Sequence, residues 1–547
     1  MRLGIDLGTT RIVAAYVDRG NYPVVMFDAP DGASSEWLPP LVAVRGEERL
    51  YGWKAWQAQE NPEWTIVRSV KRLLDAAGPE TRIQLGEQAV PMQQLLTEMV
   101  SSLRESLLSA SNLPAAPSEL LEVMLGVPAH AHSNQRFLTV EAFRNAGFHV
   151  LGLLNEPSAA SIEFGHRNRK AANGAAHSRI LVYDLGGGTF DASLVEMSGS
   201  GHEVVASEGI ATLGGDDFDQ VLADLAMETA GLGDEEQNRL SQAEMFRLHE
   251  ECRQRKEALH PNTRRMAVDL GAAHEGWPEV SVTAEAFYER CRPLIDETLH
   301  AVEDLLAANG EAPEAADGAS GARLEALYVT GGASELPLVS RALRETFGRR
   351  VRRSAYTRSA TAIGLAIQAD AQAGYRLSDK FSRYFGVWRE AEGGRAVVFD
   401  PLFSKGTALP AAGDPPLERS RSYQAVHNVG HYRYLECSRI TEDGRPAGDI
   451  TVWDDIRFPF DPALRHERDL GAVTVAHLSD SPPEAEERYG CDSSGALTVT
   501  ISNRSAGYER LYRLGRWAGE NAPLVPGKRK KGSAGSKPRK PREAARG

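Results

Sequence analysis

The sequence predicts an α/β domain made of two related halves, then an all-β module of sandwich type, then a disordered basic tail. Three observations carry that reading. Two glycine-rich turns, Asp6-Leu7-Gly8-Thr9-Thr10 and Asp184-Leu185-Gly186-Gly187-Gly188-Thr189-Phe190-Asp191, each sit between apolar, strand-like runs. After Gly374 the pattern breaks into short alternating runs separated by turn residues. From Lys528 to Gly547 the chain is basic and holds almost nothing that could be buried.

The elements follow in order. Residues 3–5 and 12–17 flank the first turn as strands, and 180–183 and 192–195 flank the second. Each unit reads as a β-hairpin, and the pair as one motif used twice. Up to about residue 372, strand runs alternate with amphipathic stretches such as 92–110 and 241–259, the mark of an α/β domain. Residues 165–177 and 308–323 are rich in Gly, Ala, Asn or Glu and predict surface loops. Between 381 and 518 the strand-like runs are 384–388, 396–399, 432–437, 449–453, 472–476 and 496–501. Residues 519–547 form the tail.

Bulk properties narrow the function. A chain of 547 residues, 42% hydrophobic and 25% charged, has length for two or three domains and a large core. A formal charge of −13 argues against nucleic-acid binding by the body, leaving only the tail as an electrostatic hook. Cys252, Cys291, Cys437 and Cys491 have no CxxC spacing and read as reduced, buried thiols. His427, His431 and His477 lack metal-ligand spacing and read as structural. There is no charged-then-apolar leader and no apolar run of membrane length, so the expectation is a cytoplasmic protein.

The turns carry the chemistry. Glycine lets backbone N–H groups approach an anion, and threonine hydroxyls add donors. An aspartate just before such a turn would repel a phosphate unless a cation lay between them. Asp6 and Asp184 therefore imply Mg²⁺, reached through its retained waters. Two such hairpins facing each other would clamp a triphosphate. The site is not a P-loop, because no GxxxxGK[ST] occurs.

The two turns, with Leu154-Asn155-Glu156-Pro157-Ser158-Ala159-Ala160 and Val329-Thr330-Gly331-Gly332-Ala333-Ser334, resemble the seventy-kilodalton heat-shock chaperones (the heat shock protein 70 family). These are ATPases of the actin-like superfamily. The likeness covers the first 368 or so residues, and the β module looks like that family's peptide-binding sandwich. The resemblance implies a two-lobed actin-like ATPase domain over 1–372 that uses ATP/ADP and Mg²⁺, and a substrate-binding-like domain over 381–518. Asp6, Glu156 and Asp184 match the carboxylates that hold hydrated Mg²⁺. Thr9, Thr10 and Thr189 match phosphate contacts, with Thr189 nearest the γ-phosphate. Lys71 matches the lysine that positions the attacking water, and Asp191 a carboxylate beside it; Asp191 or Glu156 could orient that water. Gly8, Gly186, Gly187 and Gly188 belong to the phosphate turns. Gly214, Gly215, Gly331 and Gly332 match backbone beside phosphates and adenosine, and Lys256 an adenosine contact. Pro128 and Arg136 match a pair that couples nucleotide state to the second domain.

The departures cluster. Where the family has glutamate, lysine and serine around adenosine, this chain has Arg253, Lys256 and His260. A later serine and arginine read Ala333 and Glu335, and an aspartate reads Arg358; Arg253 and Glu335 are expected to pair with reversed polarity. No acidic–leucine linker lies between Gln368 and Phe381, an arginine that engages J-domain partners reads Gly152, and the thirty residues after Trp517 are too few and too basic to be expected to form the family's helical lid.

The leading function is an ATP-dependent chaperone whose lidless β module takes extended polypeptide segments or a dedicated partner, with a J-domain protein or exchange factor as helpers. The alternative is a nucleotide-gated scaffold with little turnover. A filament-former or small-molecule kinase of the same superfamily comes third.

Overall fold

A four-stranded sheet in the order His149–Asn155, Glu122–Val127, Arg2–Leu7, Ile12–Tyr16 carries the first glycine turn in the computed structural model of the chain. Residues 1–514 are described, apart from 62, 75–76, 79–80, 87, 130, 169–177, 311–323, 379, 382, 392–395, 411–413, 479–481 and 494. A second sheet runs Val351–Arg353, Leu324–Thr330, Ser178–Leu185, Phe190–Ser198, Gly201–Ile210, Arg376–Ser378. The wiring repeats. In each sheet the strand before the glycine turn forms an antiparallel hairpin with the next strand and pairs in parallel on its other side. Each sheet belongs to its own hydrophobic core, one per lobe.

Between the lobes, helices Glu156–Asn168 and Ala360–Ala369 pack backbone to backbone. A Cβ on Gly364 would stand 1.8 Å from the Ala159 carbonyl oxygen. Glycine is required there by closeness rather than by conformation.

The predicted helices appear as Met92–Ser109 and Gln242–Glu257. The first buries Met92, Leu95, Leu96, Met99, Val100, Leu103 and Leu107, a stripe at helical spacing. The second starts at a capping box, in which Ser241 accepts from the Glu244 N–H and Glu244 from the Ser241 N–H. Of the two expected surface loops, 165–168 is the end of a helix, and 169–177 and 311–323 lie outside the described residues. So does the tail, 519–547.

The later part is a sandwich of two four-stranded antiparallel sheets. One orders Ala396–Phe403, Tyr384–Ala391, Val429–Ile440, Pro446–Pro459; the other Leu417–Gln424, Glu484–Cys491, Leu497–Asn503, Tyr508–Leu514. Residues 472–476, expected as a strand, are instead a largely exposed connection held by Asn428, which bonds the Thr474 carbonyl and the Ala476 N–H. Three strands were not anticipated: Leu417–Gln424, Glu484–Cys491 and Tyr508–Leu514.

The sandwich interior is part aromatic and part ionic. Phe385, Phe403, Tyr434, Trp453 and Phe458 pack there. Beside them Glu487, 0% exposed, takes both guanidinium arms of Arg389 at 2.8 and 3.0 Å. Arg389 also reaches Asp400 at 2.7 Å, which Arg421 grips from outside at 2.9 Å. Tyr489 donates to Glu487, and the Tyr423 and Tyr432 hydroxyls meet at 2.6 Å.

The connection between the lobes and the sandwich is a strand. No acidic–leucine linker is present, yet Arg376–Ser378 pairs in parallel with Gly201–Glu203 at the edge of the second sheet. Lys380 then pairs with Glu203 at 2.7 Å. The four cysteines are buried and free. Among the described residues no helix is long and apolar enough to cross a membrane.

Candidate functional site

The two glycine turns interlock across the gap between the lobes. A Cβ on Gly187 would stand 2.3 Å from Thr10 Oγ1, and one on Gly188 2.5 Å from Thr9 Oγ1. Gly331, with φ of +84°, meets Asp184 Oδ1 at 2.4 Å where a side chain would begin. The space between them is a cleft of about 850 Å³, counting its open mouth. Of the residues singled out in the sequence, Asp6, Gly8, Thr9, Thr10, Lys71, Glu156, Asp184, Gly186, Gly187, Thr189, Gly215, Lys256, Gly331 and Gly332 line it. Asp191, Gly188 and Gly214 stand behind that lining: Gly214 packs on the Gly188 backbone, and Asp191 is nearly sealed off.

Four carboxylates crowd one lysine. Lys71 Nζ lies 2.5 Å from Glu156 Oε1, and both side chains are about nine-tenths buried. Burial alone would pull the Lys71 ammonium down, but Glu156, Asp6 and Asp191 hold it above its ordinary pKa. Burial pushes Glu156 up to about 7, opposed by Lys71 and reinforced by Asp6 and Asp191. Asp184 is raised well above the carboxylate range by burial and then by Glu156, Asp6 and Asp191. Asp6 is raised by burial and eased by Lys71. The chain supplies one cation where four carboxylates meet, so the site is fitted to receive a further positive charge. Among the described residues, no three of His, Cys, Asp and Glu converge closely enough to ligate an ion directly. The excess of carboxylate over ammonium is what fits a hydrated divalent cation held through water.

Lys71 is placed by ties to the opposite lobe. The Thr65–Val67 strand leads into Ser69, whose φ of +57° is rare for a residue with a side chain, and then into the short helix Val70–Leu73. Arg68 pairs with Asp216 at 2.9 Å, and the Ser69 hydroxyl donates to the same carboxylate at 2.5 Å. Arg72 pairs with Asp217 at 2.6 Å and donates to the Gly188 carbonyl at 3.0 Å. Asp217 also accepts the Gly214 N–H, capping helix Gly215–Thr229. Lobe closure and Lys71 position are thus one arrangement.

Asp191 and Glu156 each lead away from the cleft. Asp191 Oδ1 accepts the Ala129 N–H at 2.8 Å, next to Pro128. Beside Glu156, Asn155 Oδ1 accepts from Arg136 at 2.6 Å. Arg136 is buried against Gly495 of the sandwich, where a Cβ on that glycine would touch it at 3.6 Å. Nearby, Arg513 of the sandwich lies 3.7 Å from Glu141 of the first lobe. Arg136 therefore stands between the Glu156 side of the cleft and the β module, and Pro128 beside the amide that holds Asp191.

The end of the cleft away from the carboxylates is lined by charge. Lys256 reaches Asp219 and the Gly215 carbonyl, both at 2.6 Å. The expected Arg253–Glu335 pair does not form. Arg253 finds Glu250 and Glu257, one helical turn to either side on its own helix, and Glu335 is taken by Arg358 at 2.6 Å and Arg353 at 3.1 Å. Sequence reasoning passed over Arg11, Glu257, Asp216 and Asp219, all of which line the cleft. Arg11 and Glu257 directly follow Thr10 and Lys256, so adjacency was the signal available.

The family model described as Hsp70 protein matches residues 2–382. Chaperone protein HscA of Klebsiella pneumoniae (strain 342) is 36% identical over 536 residues, 93% of this chain and 77% of its own. Chaperone protein HscA of Escherichia coli O7:K1 is 34% identical over 535 residues, with the same coverage of both chains. Chaperone protein DnaK of Thermotoga neapolitana is 28% identical over 529 residues, 93% of this chain and 79% of its own.

Proposed function

The chain belongs to the Hsp70 family, and on that premise we propose how its own residues divide the work of an ATP-dependent chaperone. It binds and hydrolyses ATP in the two-lobed, actin-like domain and carries a β-rich client-binding module behind it. The observation that carries the site assignment is the single Lys71 among Asp6, Glu156, Asp184 and Asp191, set between two interlocked glycine turns.

Mg²⁺, when bound, supplies charge neutralisation at the β- and γ-phosphates. Asp6, Glu156 and Asp184 would hold it through its water shell. Thr9, Thr10 and Thr189, with the amides of Gly8, Gly186, Gly187 and Gly188, cradle the phosphates from both lobes. Lys71 orients the attacking water and meets charge developing on the γ-phosphate. Glu156, which lines the cleft beside Lys71, or Asp191, fixed behind that lining by the Ala129 N–H, accepts that water's proton.

The domain division follows: 1–372 for ATP, 381–518 for the client, 519–547 as a tail. The strand Arg376–Ser378 and the Asn155–Arg136–Gly495 contact join the first two. The client is an extended apolar polypeptide segment. Exposed Val397, Val398, Val426, Ile450 and Val452 offer it apolar surface on the module. A J-domain protein and an exchange factor are the helper classes, and Gly152 leaves the J-domain contact without its expected arginine. No observation favours the scaffold alternative over turnover.

The test is single-turnover ATP hydrolysis with Mg²⁺, paired with peptide binding under ATP and under ADP. The reading requires turnover that falls in Thr189→Ala and a peptide affinity that differs between the nucleotides. Equal affinity under both would refute the chaperone coupling even if ATP is hydrolysed.

A further inference from the structure

The second sheet ends at the strand Val351–Arg353, which pairs in parallel with residues 327–329 and, among the described residues, has no strand beyond it. Its outer edge offers main-chain N–H and C=O groups to a newcomer. The charge around that edge is one-sided. Between positions 341 and 358 lie seven arginines and a single acid, Glu345, in a chain whose net charge is −13. Some of these arginines are turned inward: Arg353 and Arg358 share Glu335, and Arg341 lies over the Tyr288 ring. Glu345 is taken by Arg292 at 3.6 Å. Arg344, Arg349 and Arg352 are exposed and form no ion pair among the described residues.

Local structure explains that exposure. Helix Pro337–Phe347 buries Leu338, Val339, Ala342, Leu343 and Phe347, which turns Arg344 outward. Gly348, at φ of +56°, ends the helix, and the short turn Gly348–Arg350 delivers Arg349 to the head of the strand. Arg352 and Arg353 leave opposite faces of the sheet, and both are exposed. Past the strand stands Tyr356, 50% exposed, with the Arg167 guanidinium 5.0 Å from its ring centre. Tyrosine and arginine are the side chains that most often anchor protein interfaces.

Three occupants differ in what they bring. A second copy of the chain would set the same arginines edge to edge and be repelled, as would the basic stretch 528–546. A nucleic acid has the right sign, but its phosphates only accept hydrogen bonds, and the carbonyls of the edge need donors. An extended acidic polypeptide supplies donors and acceptors to the edge and carboxylates to the arginines.

We propose that the Val351–Arg353 edge is a docking strand for an acidic, extended segment of a protein partner, with Arg344, Arg349 and Arg352 meeting its carboxylates. None of these three arginines lines the nucleotide cleft, and the apolar surface offered to the client lies on the other module.

The test measures binding of a labelled Glu–Thr repeat peptide to the full chain by fluorescence anisotropy, at low and at physiological salt. This probe carries acid and strand propensity but no large apolar residue for the client module. It should bind, and more weakly as salt rises. Arg349→Glu with Arg352→Glu should lower its affinity by roughly tenfold or more, because like charges then face each other across the strands. ATP hydrolysis in that variant should stay within about twofold of wild type, the two sites being separate. If the double variant fails to fold, Arg352→Gln alone should weaken the peptide a few-fold. A Glu–Pro repeat of equal charge, which has fewer amides for a ladder, should bind roughly tenfold more weakly than the Glu–Thr repeat. No binding of the Glu–Thr peptide, or binding unchanged in the variants, would overturn the proposal. Equal binding of the proline repeat would overturn it too, since charge alone would then suffice. A single-stranded RNA that binds more tightly than the peptide, and is lost in the same variant, would overturn it in favour of a nucleic-acid surface.

Discussion

Replacing Lys71 with methionine removes the only side-chain cation among four carboxylates in the described residues while keeping most of the buried stem. Two unit charges about 4 Å apart at an effective dielectric of about 20 interact by about 4 kcal/mol. A preorganised charge at a developing anion is worth about 3–4 kcal/mol, or roughly 10²–10³ in rate. Lys71→Met should therefore slow single-turnover hydrolysis by roughly 10²–10³. Nucleotide affinity should change by no more than a few-fold, because Thr9, Thr10, Thr189 and the glycine amides are untouched. The fold should survive at neutral pH for a specific reason. Burial already lifts Glu156 to about 7 with the lysine present, so without it that carboxyl protonates rather than standing charged and unpaired. The sign follows from linkage. A carboxyl whose folded pKa lies above its unfolded 4.5 binds more protons when folded, so stability falls as pH rises from about 4.5 towards the folded pKa. In the variant that decline extends to higher pH than in the wild type, which denaturant melts between pH 5 and 9 without divalent metal would show. Hydrolysis and binding lost in parallel, or hydrolysis unchanged, would refute the assignment of Lys71 to the reacting phosphate.

Three further outcomes are expected. Arg136→Ala cuts the link from Asn155 to Gly495, so ATP hydrolysis should stay near wild type while ATP-accelerated peptide release slows several-fold, read by stopped-flow anisotropy. Glu487→Ala leaves Arg389 with Asp400 alone and takes the acceptor from its two terminal nitrogens, which should destabilise the module by about 1–3 kcal/mol, whereas Arg389→Met with Glu487→Met recovers most of it; denaturant melts followed by tryptophan emission separate the two. His202, 2% exposed, is pushed by burial to about 4 from an ordinary 6.5. Its depressed folded pKa gives stability that is full above about 6.5 and lost as pH falls towards 4, about 3 kcal/mol in all, and His202→Leu should flatten that slope in acid melts.

What the sequence revealed and what it hid have physical causes. The phosphate turns were legible because glycine, threonine and aspartate are required there by close backbone approach and by charge, whatever the rest of the chain does. Glu484–Cys491 was hidden because its inward face reads Ala485, Glu487, Tyr489, Cys491, and a glutamate at a core position breaks the alternation that marks a strand. Leu417–Gln424 carries arginines, serines and a glutamate on an edge strand and gave no apolar signal. Residues 472–476 gave a false one: small and β-branched side chains there satisfy local propensity without any face to bury. The Arg253–Glu335 pairing failed because a helix supplies nearer partners at three and four residues' distance. Arg11 and Glu257 were legible as neighbours of recognised residues; their bond to each other, across 246 positions, was not.

The connecting strand has an evolutionary consequence. Its docking is written in main-chain hydrogen bonds between Arg376–Ser378 and Gly201–Glu203, and every residue except proline brings the same amide to such a ladder. A hinge addressed this way leaves its letters free to drift while the connection persists. Alanine scanning of its side chains would leave that ladder in place. The connection is therefore held by backbone geometry rather than by any one side chain of the strand.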